Sequence, residues 1–124
     1  MPDPVLRLRH QPTGAIVAER LEEADGTLSR GVGLLGRDAL EPGSGLWIHP
    51  CMSIHMFGMR FAIDAVFLDR RHRVVRVVGG LRPWRMVPLV WRARSVVELP
   101  AGRAAEVGLG PGDQLRIEVP DSEE

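Results

Sequence analysis

The most informative stretch of the sequence is Phe61-Ala62-Ile63-Asp64-Ala65-Val66-Phe67-Leu68, and the polar residues Asp69-Arg70-Arg71-His72 follow it directly. Successive side chains of a β-strand point to opposite faces of a sheet, and here both sets of side chains are mostly apolar. The pattern therefore predicts a central strand that is covered on both faces. The polar tetrapeptide predicts a hairpin turn, and residues 73–78 are its return strand.

Short apolar runs bounded by turn residues continue this rhythm along the rest of the chain. Further strands are predicted over residues 5–10, 15–21, 45–49, 96–99 and 114–119, with two strands inside residues 53–68. Short helices are predicted from Asp25 or Thr27 to Leu35 and over residues 100–107, the second ended by Gly108 in a left-handed conformation. The predicted fold class is mainly β: a compact antiparallel β-sandwich or barrel-like domain with one or two short helices.

Length and composition predict one globular domain over residues 1–124. Apolar residues make up 44% of the chain and charged residues 26%, a balance typical of a folded core. Cys51 is the lone cysteine, so no disulfide can form within the chain. No apolar stretch approaches the ~20 residues of a membrane helix, and the first residues do not resemble a signal peptide. We therefore predict a cytoplasmic location and no membrane partner.

Charge is unevenly distributed, and every basic residue is arginine. Residues 60–94 carry nine arginines and only two carboxylates, Asp64 and Asp69, whereas acids outnumber arginines on both sides of this segment. One explanation for the absence of lysine is codon bias. The alternative is selection for arginine because it binds anions in a bidentate manner. The basic hairpin tip, residues 70–73, suits either solvent or a nucleic-acid groove. We favour the solvated tip and predict no binding to duplex DNA tighter than tens of micromolar at physiological salt.

Two carboxylates lie inside apolar strands, Asp64 in the central strand and Glu98 between Val97 and Leu99. Buried carboxylates require partners, because an unpaired buried charge is costly. They could form an acid–base pair with perturbed pKa values. The alternatives are structural ion pairs, for Asp64 with Arg60 or Arg30, or carboxylates that accept backbone N–H groups.

The run His49, Cys51, Ser53 and His55 resembles a set of metal ligands, because alternate residues of one strand share a face. Residues four apart on a strand are separated by ~13 Å, too far for Cys51 and His55 to share an ion. We therefore predict no metal site and no cofactor.

Two tryptophans, Trp84 and Trp91, lie in an irregular stretch over residues 79–94, and each is followed by an arginine. Exposed rings beside guanidinium groups suit a sugar, a nucleobase or an anion. The alternative is a lid that plugs one end of the barrel.

Several motifs together resemble one protein family. They are Arg30-Gly31-Val32-Gly33-Leu34-Leu35-Gly36-Arg37, the central run from Pro50 to Asp69, Val97-Glu98-Leu99-Pro100-Ala101-Gly102 and Gly108-Leu109-Gly110-Pro111-Gly112-Asp113. Over residues 30–118 the chain resembles the family known as domain of unknown function 192, with an acidic, frayed tail predicted over 120–124. Two residues depart from the family pattern: Ala62 stands where proline is usual, and Gly58 where a second aromatic is usual. The resemblance implies a compact β-fold and no established reaction.

These observations support a small-ligand binding or accessory module, with a pocket between the central strands and residues 79–94. The residues predicted to contact the ligand are Arg30, His55, Arg60, Asp64, Trp84, Arg85 and Glu98. One alternative is a hydrolase-like enzyme that uses Asp64 and Glu98, with Cys51 or His55 as a further participant. The other is an arginine-mediated nucleic-acid or protein adaptor.

Overall fold

The computed structural model describes residues 5–25 and 37–120, and within these ranges β-strands dominate. The strands are β1 (Leu6–His10), β2 (Ile16–Asp25), β3 (Ser44–His49), β4 (Ile54–His55), β5 (Ile63–Leu68), β6 (Val74–Leu81), β7 (Met86–Val87), β8 (Ser95–Pro100) and β9 (Leu115–Glu118), and the helix is α1 (Arg103–Val107). The prediction of a mainly β fold is confirmed. The helix predicted after Asp25 lies mostly outside the described residues, as does the tail predicted over 120–124, of which only Pro120 is described.

Seven strands form one curled sheet in the order β6-β5-β8-β3-β2-β1-β9, and β4 pairs with β7 in a small second sheet. Among the pairs described, β2 and β3 run parallel and all others run antiparallel. A parallel pair needs a long connection between its strands, and in this chain β2 ends at Asp25 whereas β3 begins at Ser44. As predicted, β5 is a central strand, because β6 and β8 flank it and all six of its residues are buried.

The edges of the large sheet meet at one end and make the fold a half-barrel. Arg73, just before β6, forms an isolated bridge with Gln114, just before β9. The Val74 N–H donates to the Asp113 carbonyl at 2.8 Å, and the Leu115 N–H donates to the His72 carbonyl at 3.0 Å. The two edges of the sheet are therefore hydrogen-bonded to each other beside the 69–73 turn.

Two apolar clusters cover the two faces of the sheet. One cluster joins side chains from both edge regions, including Val74 and Leu115, with α1, and it fills the concave face. The other packs Phe67 and its neighbours against residues 51–56 and 81–93, so the small second sheet covers the convex face. Both faces of β5 are thus removed from solvent, which is why the side chains on both faces of this strand are mostly apolar.

Candidate functional site

Asp64 is fully buried in β5, on the concave face. Its Oδ1 accepts a hydrogen bond from the Gly80 N–H at 2.9 Å, and its Oδ2 accepts one from the Ala104 N–H at 2.8 Å. The Gly102 N–H lies 3.1 and 3.0 Å from the two oxygens. Of the alternatives considered for this residue, the structure thus places backbone N–H groups around the carboxylate.

This arrangement lets Asp64 cap α1 from a distant strand. Gly102 is the N-cap residue, with a φ of 95° and no side chain that could accept the free N–H groups of the first turn. The Asp64 carboxylate supplies that acceptor and so links β5, β6 and α1. The partner proposed for it, Arg60, pairs instead with Asp38 on the surface at 3.1 Å. Arg30, the other proposed partner, lies outside the described residues.

Glu98 projects from the opposite face of the sheet. It lies across from Ala65 in β5, whereas Asp64 lies across from Leu99. Adjacent residues of a strand point to opposite faces, so the two carboxylates are separated by the sheet itself. Both are buried, with exposed fractions of 0% and 5%. The structure therefore does not bring together the acid–base pair of the hydrolase-like hypothesis.

Cys51 and His55, the further participants considered for that enzyme, also have different environments. The Cys51 thiol is buried, and its Sγ donates to the Ser53 carbonyl at 2.9 Å. His55 is exposed on β4. β3 ends at His49, so the run from His49 to His55 is not one strand. Among residues 5–25 and 37–120, no three His, Cys, Asp or Glu side chains form a group able to hold a metal ion.

Three rings on the outer side of the small sheet form a stacked series, which we call the aromatic row: His55, Phe57 and Trp84. The His55 and Phe57 ring centroids are 4.8 Å apart, with the planes tilted by 28°. The Phe57 and Trp84 centroids are 6.1 Å apart, with a tilt of 25°. Two residues of the predicted site, His55 and Trp84, are thus joined through a third, Phe57, that the sequence did not single out.

The aromatic row rests on a buried base. Ile54 and Val87 are paired across the small sheet and face the core, so His55 and Met86, the next pair, face outward. The Trp84 N–H donates to the Met56 carbonyl at 2.9 Å. Trp84 adopts a φ of 70°, a left-handed conformation that is unfavourable for a bulky residue. Such strained residues are frequently found at binding sites.

A second cluster, which the sequence alone did not predict, lies at the closed end of the half-barrel. The centroid of the Trp47 ring lies 4.1 Å from that of the His49 ring and 5.4 Å from that of the His72 ring. His49 Nε2 lies 2.5 Å from Glu23 Oε2. Burial lowers the pKa of His72; the charge of Asp69 opposes this shift, and that of His49 adds to it. Alternation along β3 places Trp47 and His49 on one face, but only the fold brings His72 from a distant turn.

A third polar cluster joins the first hairpin to the turn before β9. His10 is 3% exposed, and its Nε2 donates to Asp113 Oδ2 at 2.8 Å. In the neutral ring, Nδ1 then accepts from the Thr13 hydroxyl, also at 2.8 Å. The hydrogen bond from His10 is the main cause that lowers the pKa of Asp113. The Gly110 N–H and the positive charge that His10 can carry lower the pKa further, whereas burial opposes the shift.

Acid should weaken this third cluster in a defined direction. Because the pKa of Asp113 is lower in the folded chain than in the unfolded one, its ionised form stabilises the fold above the unfolded value of about 4. That contribution is lost as the pH falls through the folded pKa. We expect the melting temperature of Asp113→Asn to fall less than that of the unaltered protein between pH 6 and pH 3. Asp38→Asn, which changes an 87% exposed side chain, is the control and should follow the unaltered protein. Parallel acid profiles for all three proteins would contradict this role of Asp113.

No helix in the part of the chain that the structure describes is long and apolar enough to cross a membrane.

Two solved structures share this fold. A protein of unknown function from Novosphingobium aromaticivorans matches with a TM-score of 0.76 and 23% identity, over 90% of this chain and 83% of that one. A protein from Sinorhizobium meliloti, solved as a candidate transcription regulator, matches with the same TM-score of 0.76 and 21% identity, over 92% of both chains. At these identities the likeness extends to the fold alone.

Sequence comparisons identify the family. A UPF0127 protein of Pyrococcus abyssi is 34% identical over 77% of this chain and 84% of its own length, and one of Pyrococcus horikoshii is 41% identical over 52% of this chain and 55% of its own length. The chain thus spans only about half the length of some curated relatives that it matches. The model of the family DUF192, described as an uncharacterized ACR, matches residues 8–117. The chain therefore belongs to the DUF192 family, as its motifs indicated.

Proposed function

We propose that this domain is a binding module for a small ligand with a flat ring and an anionic group, and that the aromatic row is its binding surface. The observation that carries the proposal is the exposed, stacked arrangement of the row. Trp84 is 68% exposed and Phe57 47% exposed, although contact between large apolar side chains and water is unfavourable. A flat ring stacked on Trp84 would extend the row and remove apolar surface from water.

Arginines beside the aromatic row favour an anionic ligand. Arg82 and Arg85 flank Trp84 in sequence, and both side chains are exposed. Among the described residues, neither guanidinium group forms an ion pair with a carboxylate. Guanidinium groups bind carboxylates and phosphates through paired hydrogen bonds, so Arg85 could orient a charged substituent of the stacked ring.

The rest of the predicted site supports a binding function over a chemical step. Asp64 and Glu98 lie in the interior on opposite faces, and Arg60 is engaged by Asp38. None of the three belongs to the aromatic row, and the ligand contacts we retain are His55, Trp84 and Arg85. We also propose a cytoplasmic location, which the lone cysteine of the chain supports.

Calorimetric titration with 2-naphthoate tests this proposal. This probe carries a flat ring and a carboxylate, whereas cyclohexanecarboxylate carries the same charge on a puckered ring. We expect 2-naphthoate to bind and cyclohexanecarboxylate to bind at least tenfold more weakly. Trp84→Ala should weaken 2-naphthoate by about fivefold or more, because losing one stacking ring costs about 1–3 kcal/mol.

Trp91→Ala is the matched control, because Trp91 is 78% exposed and lies outside the aromatic row. It should leave the affinity for 2-naphthoate within twofold of that of the unaltered protein. Arg85→Gln should weaken 2-naphthoate but not the uncharged 2-naphthylmethanol. Equal losses for Trp84→Ala and Trp91→Ala, or no heat of binding with 2-naphthoate at millimolar concentrations, would overturn the proposal.

A further inference from the structure

Five arginines converge on one cleft at the closed end of the half-barrel. The cleft has a volume of about 280 Å³. Its lining residues come from the 69–73 turn and from the loop that precedes β8, and they are Asp69, Arg70, Arg71, Arg73, Arg92 and Arg94. A second depression of about 440 Å³ adjoins it and shares Asp69, Arg73 and Arg92. The two segments are about twenty residues apart in sequence, so only the fold makes this cleft.

Most of the positive charge in this arginine cleft is uncompensated. Five guanidinium groups against one carboxylate leave a formal charge of +4. Among the described residues, one ion pair lies within the cleft, and it joins Arg73 Nε to Asp69 Oδ2 at 3.8 Å. Like charges held this close repel one another, and an arrangement of this kind is stabilised when an anion enters it.

The turn side of the arginine cleft has a defined shape. Asp69 Oδ1 accepts the N–H groups of Arg71 at 2.8 Å and Arg73 at 2.9 Å, so the one carboxylate organises the backbone of the turn. Partial burial works to raise the pKa of Asp69, but these two N–H groups and the arginine charges lower the pKa overall. Gln114 also holds the turn, because its Nε2 donates to the Arg71 carbonyl at 2.7 Å.

The loop side is tied to the end of β5. The Arg94 N–H donates to the Leu68 carbonyl at 2.7 Å, and the Arg94 carbonyl accepts from the Cys51 N–H at 2.8 Å. Arg92 adopts a φ of 75°, a left-handed conformation that a non-glycine residue rarely keeps without a structural or functional reason. The backbone thus presents Arg92 and Arg94 to the same space as the arginines of the turn.

We propose that the arginine cleft binds a small anion that carries two or more phosphate groups. Guanidinium groups match phosphate oxygens in paired hydrogen bonds, and several that converge from two sides favour a compact, multiply charged group. The size of the cleft suits a diphosphate, at the lower end of small-molecule sites. Proteins contact duplex DNA with elements that enter its grooves. A concave cleft cannot enter a groove, so its shape favours a small anion over duplex DNA. This site lies apart from the aromatic row and does not depend on it.

Calorimetric titration with inorganic pyrophosphate at physiological ionic strength tests the proposal. We expect pyrophosphate to bind at least tenfold more tightly than sulfate, which has the lower charge. The double variants Arg71→Gln/Arg73→Gln and Arg92→Gln/Arg94→Gln should each weaken pyrophosphate at least tenfold, because each removes one side of the cleft.

Arg76→Gln/Arg116→Gln is the matched control, because it removes the same charge from exposed positions outside the cleft and outside the aromatic row. It should change the affinity less than threefold, since ionic strength screens charges beyond ~8 Å. Trp84→Ala should leave pyrophosphate binding unchanged, which separates this site from the aromatic row. Thermal melts would verify that each variant is folded. An equal loss in the control pair, no binding of pyrophosphate at millimolar concentrations, or tighter binding of a 16-base-pair duplex would overturn the proposal.

Discussion

Asp64→Ala should lower the free energy of unfolding by about 3 kcal/mol or more. The substitution removes the acceptor of three backbone N–H groups, those of Gly80, Gly102 and Ala104. Ala104 is 2% exposed, so water cannot readily replace the carboxylate at its N–H. The two glycines are exposed, so water can partly compensate there, and the cost is less than the sum of three fully buried groups. Chemical denaturation with urea measures the difference.

Asp64→Asn separates the charge of this residue from its shape. The asparagine oxygen could accept from one side of the N–H group cluster, but its NH₂ group would face another donor. We therefore expect Asn to recover only a minor part of the stability lost in Ala. Asp38→Ala is the control, because the Asp38 and Arg60 side chains are 87% and 61% exposed and such pairs contribute at most about 1 kcal/mol. A stable Asp64→Ala protein would refute the structural role and make Asp64 the first candidate for chemistry.

Phe67→Ala should cost about 3–5 kcal/mol of unfolding free energy, the range for removing a large buried aromatic ring. Phe67 is 0% exposed in β5 and belongs to the apolar cluster on the convex face. Its loss would leave a cavity that the neighbouring strands cannot close, because β6 and β8 are hydrogen-bonded to both sides of β5.

Phe57→Ala, in contrast to Phe67→Ala, should affect ligand binding more than stability. Phe57 is 47% exposed in the aromatic row, so Phe57→Ala should lower the unfolding free energy by less than about 1 kcal/mol. It should nevertheless weaken 2-naphthoate, because Phe57 supports the Trp84 ring. Paired urea titrations of the two variants measure the contrast. Comparable losses of stability at Phe57 and Phe67 would contradict the assignment of one ring to the core and the other to a binding surface.

Features that depend on neighbours in sequence were predictable. The apolar run over residues 61–68 predicted a central strand, because burial of both faces demands apolar residues at consecutive positions. Gly108 predicted the end of α1, and it has the left-handed φ of 83° that this position requires. The 69–72 tip predicted a hairpin turn, which the structure shows between β5 and β6.

The partners of the buried charges were not predictable in the same way. Backbone N–H groups were one of the alternatives for Asp64, but the sequence does not show which N–H groups reach the carboxylate. The N–H groups that bind it belong to Gly80 and to the start of α1, which lie 16 to 40 residues away. Glu98 matched Asp64 in its sequence context, yet the strand register places the two on opposite faces. A shift of one residue in register exchanges the faces, and the local sequence does not encode that shift.

The family, the mainly β fold, the central strand and an arginine-rich segment beside an aromatic one were all predictable from residue types and their spacing. Which of these residues contact one another became known from the three-dimensional fold. The aromatic row joins β4 and the residue Phe57 beyond it to Trp84, which precedes β7, and the arginine cleft joins a hairpin tip to a loop about twenty residues away. The physical reason is that residue type and spacing control local conformation, whereas contacts between distant segments follow from how the sheet curls and closes. Strand alternation reports the face of a side chain but not the segment that will lie against it.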